Sequence, residues 1–115
     1  MSKFPIFDGH NDTVLHLISD ERGKGRSFFE RSEVGHIDLP RAKEGGFAGG
    51  FFAMFVPNDP QNMEKLKALA EKDPALIPLP PALELDYAQQ YAFKMMRKLF
   101  DVEKESEGQV KITRT

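Results

Sequence analysis

The spacing of apolar residues changes several times along the chain, and each change predicts a different element. Lys3 to Phe7 is a short apolar run of strand length, and Pro5 suits the beginning of a strand or an unpaired edge. Gly9 permits a sharp turn, and Asn11 or Asp12 is placed to cap a helix. That helix carries Val14, Leu15, Leu17 and Ile18 and ends near Ser19-Asp20. Asp20 to Ser27 is charged and punctuated by glycine, which predicts a loop. The adjacent Phe28 and Phe29 lie in a further polar stretch and are expected to pack down. A second, short helix opens at Asp38, a good N-cap, with Pro40 in the first turn where its missing N–H does no harm. Gly45-Gly46 stops it.

The next run, Phe47 to Val56, is nearly all apolar or glycine and does not alternate. It predicts a strand buried on both faces, as a parallel sheet covered by helices requires. Pro57 and Asn58-Asp59-Pro60 end it. Asn62 to Lys72 has helical spacing, with Met63, Leu66, Leu69 and Ala70 on one side. Prolines from Pro74 to Pro81 mark a connector. Leu83 to about Glu105 carries the strongest helical pattern. Leu83, Tyr87, Tyr91, Met95, Leu99 and Val102 form its face, widened by Ala88, Ala92, Met96 and Phe100. Val110 to Thr115 begins a strand-like alternation.

Strand, helices, buried strand, helices and a further strand-like start make the rhythm of an α/β protein. About two strands cannot cover themselves, and isolated strand pairs are marginal. The chain therefore reads as the beginning of a larger domain.

Composition narrows the functional classes. At 115 residues, 40% hydrophobic and 30% charged, the chain is ordinary globular material for one small domain. A formal net charge of −2 argues against a surface dedicated to nucleic acid or to an anionic membrane. No window has the apolar length of a bilayer crossing, and Asp8 interrupts any signal-peptide core. The absence of cysteine excludes disulfides and thiolate ligands and fits a cytoplasmic location.

The residues with candidate chemistry are His10 and Asp12. An imidazole and a carboxylate just past a strand end can reach one metal ion. The alternative makes Asp12 a helix cap and His10 a hydrogen-bonded turn residue. A second His-x-Asp, His36 and Asp38, precedes a helix rather than following a strand, and its Asp is already needed as the cap. His16 lies within an amphipathic segment and reads as packed or solvated. Gly45, Gly46, Gly49 and Gly50 make no phosphate loop, because no Lys-Ser/Thr follows and no helix opens there. No Ser or Cys nucleophile motif is present.

Asp8-Gly9-His10-Asn11-Asp12, then His36-Ile37-Asp38-Leu39-Pro40-Arg41, then Gly45-Gly46 and Gly49-Gly50-Phe51-Phe52 resemble, in that order, the membrane (renal) dipeptidase family of zinc peptidases. The resemblance is clear over residues 4 to 56 and weaker from there to Thr115. It implies the N-terminal portion of a (β/α)₈ TIM-type barrel, incomplete in this chain, with residues 1–115 belonging to one domain and no separate second domain. It implies two zinc ions, of which His10 and Asp12 would ligate one. The bridging glutamate, the histidine ligands and the catalytic residues of the family match nothing in this chain. The implied reaction is dipeptide hydrolysis, with the two ions activating a bridging water and polarising the peptide carbonyl. Two ligands do not hold such a centre, so the 115 residues alone are expected to be inactive. The start shows no leader or lipid-anchor signal, which suggests a soluble bacterial-type relative. Expected partners are a dipeptide and, for the intact protein, a second copy in a homodimer. Another amidohydrolase on the same barrel is the alternative among enzymes. A non-catalytic remnant that binds through an exposed sheet edge is the alternative outside them.

Overall fold

The computed structural model describes residues 4–75 and 78–115. Its elements are β1 (Ile6–Asn11), α1 (Thr13–Ile18), α2 (Leu39–Gly45), β2 (Phe47–Phe52), α3 (Pro60–Lys72) and α4 (Leu85–Glu105). The architecture is mixed α/β. Contacts divide it into two compact units, one running to Phe55 and resuming at Ala92, the other Val56–Tyr91.

β1 and β2 pair in parallel, from Ile6 opposite Phe47 to Asn11 opposite Phe52. The first strand thus lies later than the apolar run predicts. Pro5 has no N–H to give, so the ladder opens with Ile6 N–H donating to Gly46 O at 2.9 Å. Asp8-Gly9-His10-Asn11, poor strand formers by propensity, are extended because the main chain beside them pairs. Gly9 is therefore a strand residue and not a turn. β2 is shorter than expected and stops at Phe52 rather than Val56. Its last bond to the partner strand is Ala53 N–H to Asn11 O at 2.8 Å, after which β1 gives way to α1 and offers nothing more to pair with. Nor is β2 buried on both faces: Phe51 is 67% exposed and packs edge-on against Phe7, itself 64% exposed. Among the described residues β1 is its only sheet neighbour, so the other edge of β2 is unpaired.

α1 buries Val14, Leu15 and Leu17 of its predicted face and Thr13 besides, while Ile18 is only half-buried. Leu17 meets Phe28 and Val102 in a core cluster, with Phe29, Ile37, Leu39, Phe52 and Val110 packed around it. The Phe28-Phe29 loop does pack down. Gly23 makes that possible: a Cβ there would lie 2.0 Å from the His16 carbonyl oxygen, so only glycine lets the loop cross α1. α2 begins and ends where its signals lie. Asp38 accepts from Arg41 N–H, and Gly46 closes the helix at φ 78°, the left-handed geometry that favours glycine.

α3 starts two residues earlier than the pattern predicts, because the Asp59 side chain accepts from Gln61 N–H at 2.8 Å and Pro60 fits the first turn. None of its residues is buried. The connector expected from Pro74 to Pro81 has no regular structure at 78–81, and its Leu76 and Ile77 lie outside the described residues. α4 begins at Leu85 rather than Leu83. It buries Met95 and Val102, while Met96 and Phe100 at the margin of the predicted face are exposed. Val110 to Thr115 is not a strand. Instead Ile112 N–H donates to Glu103 Oε1 at 2.8 Å and Val110 N–H to Ser106 Oγ at 3.0 Å, so side chains of the α4 terminus take the place of a ladder.

Candidate metal centre

His10 is the fifth residue of β1, and Asp12 stands between the strand and α1. The pleat would put Asp8, His10 and Asp12 on one side of a regular strand, but the register slips between Asp8 and Asn11. Asp8 accepts from Asn11 Nδ2 at 3.0 Å, whereas His10 and Asp12 converge, with Nε2 3.5 Å from Oδ1. Asp12 Oδ1 is shielded from solvent and has no hydrogen-bond partner. The Asp12 side chain as a whole is 42% exposed and that of His10 69%, so both donors are within reach of a cation.

The geometry fits a shared ion. Two ligands on one tetrahedral zinc, each bonded at about 2.0–2.1 Å, stand about 3.3 Å apart, close to the separation found between His10 and Asp12. Imidazole nitrogen and carboxylate oxygen are also the donor types zinc accepts. No cluster of three or more His, Cys, Asp or Glu side chains among the described residues could hold a metal, so an ion at this pair would need further ligands.

The second His-x-Asp is resolved differently. Asp38 is fully buried and accepts from Arg41 N–H at 2.9 Å, Ser32 N–H at 3.1 Å and the Arg41 guanidinium. Burial opposes its ionisation, but the two N–H groups and the guanidinium outweigh burial and hold the carboxyl below its ordinary range. With its oxygens so occupied, Asp38 is a helix cap and a brace for the 32–41 loop. His36 is exposed. His16 is half-buried, and its pKa is lowered by burial first and then by Arg26, His36 and Arg22, against a smaller opposite pull from Asp12. A residue hemmed by cations is packed rather than ligating.

Sequence reasoning overlooked Arg26, took Asn11 only as an alternative helix cap and Asp8 only as part of a motif. Arg26 donates to Ile37 O and runs beside Gly35, tying the 20–27 loop to the 32–38 loop. Its guanidinium is shifted down by burial foremost. Asp8 and Asn11, three apart and flanking His10, carried a usable signal: two short hydrogen-bonding side chains just before a helix.

The family model for membrane dipeptidase, peptidase family M19, matches residues 1–114. Over 54 residues the chain is 48% identical to an uncharacterized protein in the PQQ-III 3' region of Acinetobacter calcoaceticus, covering 46% of this chain and 17% of that one. A crystal structure of a metallopeptidase from Rhodobacter sphaeroides, liganded with a phosphinate mimic of the dipeptide L-Ala-D-Ala, superposes with a TM-score of 0.77 at 40% identity. It covers 99% of this chain and 33% of its own. A dipeptidase AC structure of family M19 superposes with a TM-score of 0.70 at 38% identity, over 93% of this chain and 30% of that one. The chain thus spans about a third of the solved structures it matches.

Proposed function

Since this chain belongs to the membrane dipeptidase family, peptidase family M19, we propose that it forms the N-terminal part of a zinc-dependent dipeptidase built on a (β/α)₈ barrel. The observation that carries the reading is the unpartnered Asp12 Oδ1 beside His10 Nε2, at the carboxyl end of a parallel strand. Barrel enzymes of this class place their chemistry at that end. Coverage of a third of each related structure supports a barrel whose remaining strands lie in the other two thirds. So do Phe7 and Phe51, an exposed aromatic pair on a sheet with an unpaired edge.

His10 and Asp12 are the residues of this chain that would hold one of two zinc ions, and the other ligands come from outside the 115 residues. When bound, the metal supplies Lewis-acid activation of water and of the peptide carbonyl. The task of this chain is to present the two donors on a rigid strand end. Short dipeptides, including the L-Ala-D-Ala type that the Rhodobacter sphaeroides enzyme holds as a mimic, are the substrate class. A cytoplasmic site of action is part of the proposal, on the absence of cysteine. No helix among the described residues is long and apolar enough to cross a membrane.

The test measures hydrolysis of L-Ala-D-Ala and Zn²⁺ binding by the purified 115-residue chain. The expected result is weak Zn²⁺ binding that His10→Ala abolishes, without turnover. Zinc-dependent turnover lost in His10→Ala would overturn the partition of the site, and Zn²⁺ binding indifferent to His10→Ala would overturn the site itself.

A further inference from the structure

α4 carries no acidic residue between Asp86 and Asp101, yet in that stretch it carries Lys94, Arg97 and Lys98. At this spacing the three cations share one face of the helix, and like charges so placed weaken a helix unless something answers them. Asp101, three residues beyond Lys98 and four beyond Arg97, is spaced to pair with either. Among the described residues it closes an ion pair with neither. Instead the three cations and Asp101 line a cavity of about 290 Å³, whose apolar wall is Leu17 and Ile18 at the end of α1. All six residues belong to the same compact unit. Leu17 is buried, Ile18, Lys98 and Asp101 are half-buried, and Lys94 and Arg97 are exposed.

From this we propose that the cleft between α1 and α4 binds a phosphomonoester carried on a short carbon skeleton. Charge decides the head group. Three cations and one carboxylate leave the cleft with a surplus of positive charge, although the chain as a whole carries −2. A phosphomonoester brings about 1.5–2 negative charges at neutral pH and three acceptor oxygens, which a single carboxylate does not match. Arg97 offers a planar fork for two such oxygens, and Lys94 and Lys98 are point charges on either side of it. Size decides the rest of the ligand. The cavity stands at the lower limit of the roughly 300–1,000 Å³ of ligand pockets, which suits a phosphate with a few carbons rather than a larger molecule. Ile18 is the wall against which those carbons lie. Asp101 stands at the end of the row of cations, and its repulsion keeps the phosphate toward Lys94. The cleft includes neither His10 nor Asp12, so it does not depend on the metal reading.

The experiment titrates the 115-residue chain with n-butyl phosphate, inorganic phosphate and butyrate at about 0.15 M salt, followed on the backbone amide resonances. The expected result is saturable shifts confined to Leu17, Ile18 and the turns from Lys94 to Asp101. Butyl phosphate should bind about tenfold more tightly than butyrate and about threefold more tightly than inorganic phosphate. Ile18→Ala should remove the second preference. Arg97→Gln combined with Lys98→Gln keeps good helix formers on α4 and should weaken butyl phosphate at least about tenfold, whereas Lys111→Gln should leave it unchanged. Asp101→Asn should tighten it about threefold, a gain that misfolding cannot produce. Glu105→Gln, the same change of charge one turn further from the cations, should alter it less. Wild-type affinity in the double variant overturns the proposal, as does an equal gain in Asp101→Asn and Glu105→Gln. Shifts that spread over every lysine and arginine without saturating overturn it as well, since they mean an adventitious ion only. An unchanged preference in Ile18→Ala overturns the assignment of the carbon skeleton.

Discussion

Removing the Asp38 carboxylate should weaken this chain far more than the removal of an ordinary helix cap. In Asp38→Ala, α2 loses its cap, worth about 1 kcal/mol. Ser32 N–H is left without its acceptor, at about 1 kcal/mol for a partly buried donor. Arg41 loses its counter-ion. Stranding a fully buried charge costs roughly 3–5 kcal/mol, but the Arg41 side chain is 25% exposed and keeps its bond to Gly35 O at 3.1 Å. Its share is therefore about 1–2 kcal/mol after discounting for solvent. The expected loss is about 3–4 kcal/mol, a fall in Tm of roughly 15 °C for a chain of this size. Asp38→Asn keeps an acceptor for Arg41 N–H but loses the charge, and should cost about half as much.

The effect carries a pH signature. The folded carboxyl titrates below its ordinary 3.8, because the donors around it outweigh its burial. Its stabilisation is present above the unfolded value and is lost as pH falls through the folded one. Urea unfolding of wild type and Asp38→Asn, followed by far-UV circular dichroism between pH 7 and pH 2, should show a constant gap down to about pH 4 that closes below it. A gap under about 1 kcal/mol at neutral pH would refute the reasoning, since it would fall within the value of the cap alone. A gap that widens in acid would refute it as well.

Other expectations follow from the same geometry. Gly23→Ala places a methyl 2.0 Å from a backbone oxygen of α1, which cannot give as a side chain would, so its cost should exceed the usual overpacking range of about 1–3 kcal/mol; differential scanning calorimetry reads it. The two His-x-Asp pairs should separate cleanly by isothermal titration calorimetry with Zn²⁺, with His36→Ala indistinguishable from wild type and His10→Ala without binding. Glu103→Ala should leave α4 intact yet speed hydrogen exchange of the Ile112 amide, because Glu103 Oε1 is the acceptor that amide has here. The Ile112 N–H, foremost, and Arg114 also hold the Glu103 carboxyl below its ordinary 4.5, so wild-type protection should be present above that value and fade as pH falls below it.

What the sequence determined by itself was a set of local signals, above all caps and helical periods. Asp38, Pro40 and Gly46 bound α2 because a cap, a missing N–H and a left-handed closure are properties of one or two residues. Val14, Leu15 and Leu17 of α1 and Met95 and Val102 of α4 repeat with a period that a helix cannot disguise. The motifs were legible too, and they pointed to the family to which the chain belongs.

Tertiary structure decided the rest. β1 runs through Asp8-Gly9-His10-Asn11 against their propensity, because a strand exists only where a partner's main chain accepts it, and that partner lies about forty residues further along the chain. β2 ends early for the same reason, and in 110–115 the Val110 and Ile112 N–H groups go to the Ser106 and Glu103 side chains rather than to a ladder. The site shows the division most sharply. Spacing placed His10 and Asp12 near each other and could not say whether Asp12 caps a helix. The fold answers that: the Asp12 side chain makes no capping hydrogen bond, while its neighbour Asn11 bonds Asp8 and the Phe51 carbonyl of the second strand. A carboxylate's role is set by which donors reach it, and only the folded chain brings donors from distant positions together.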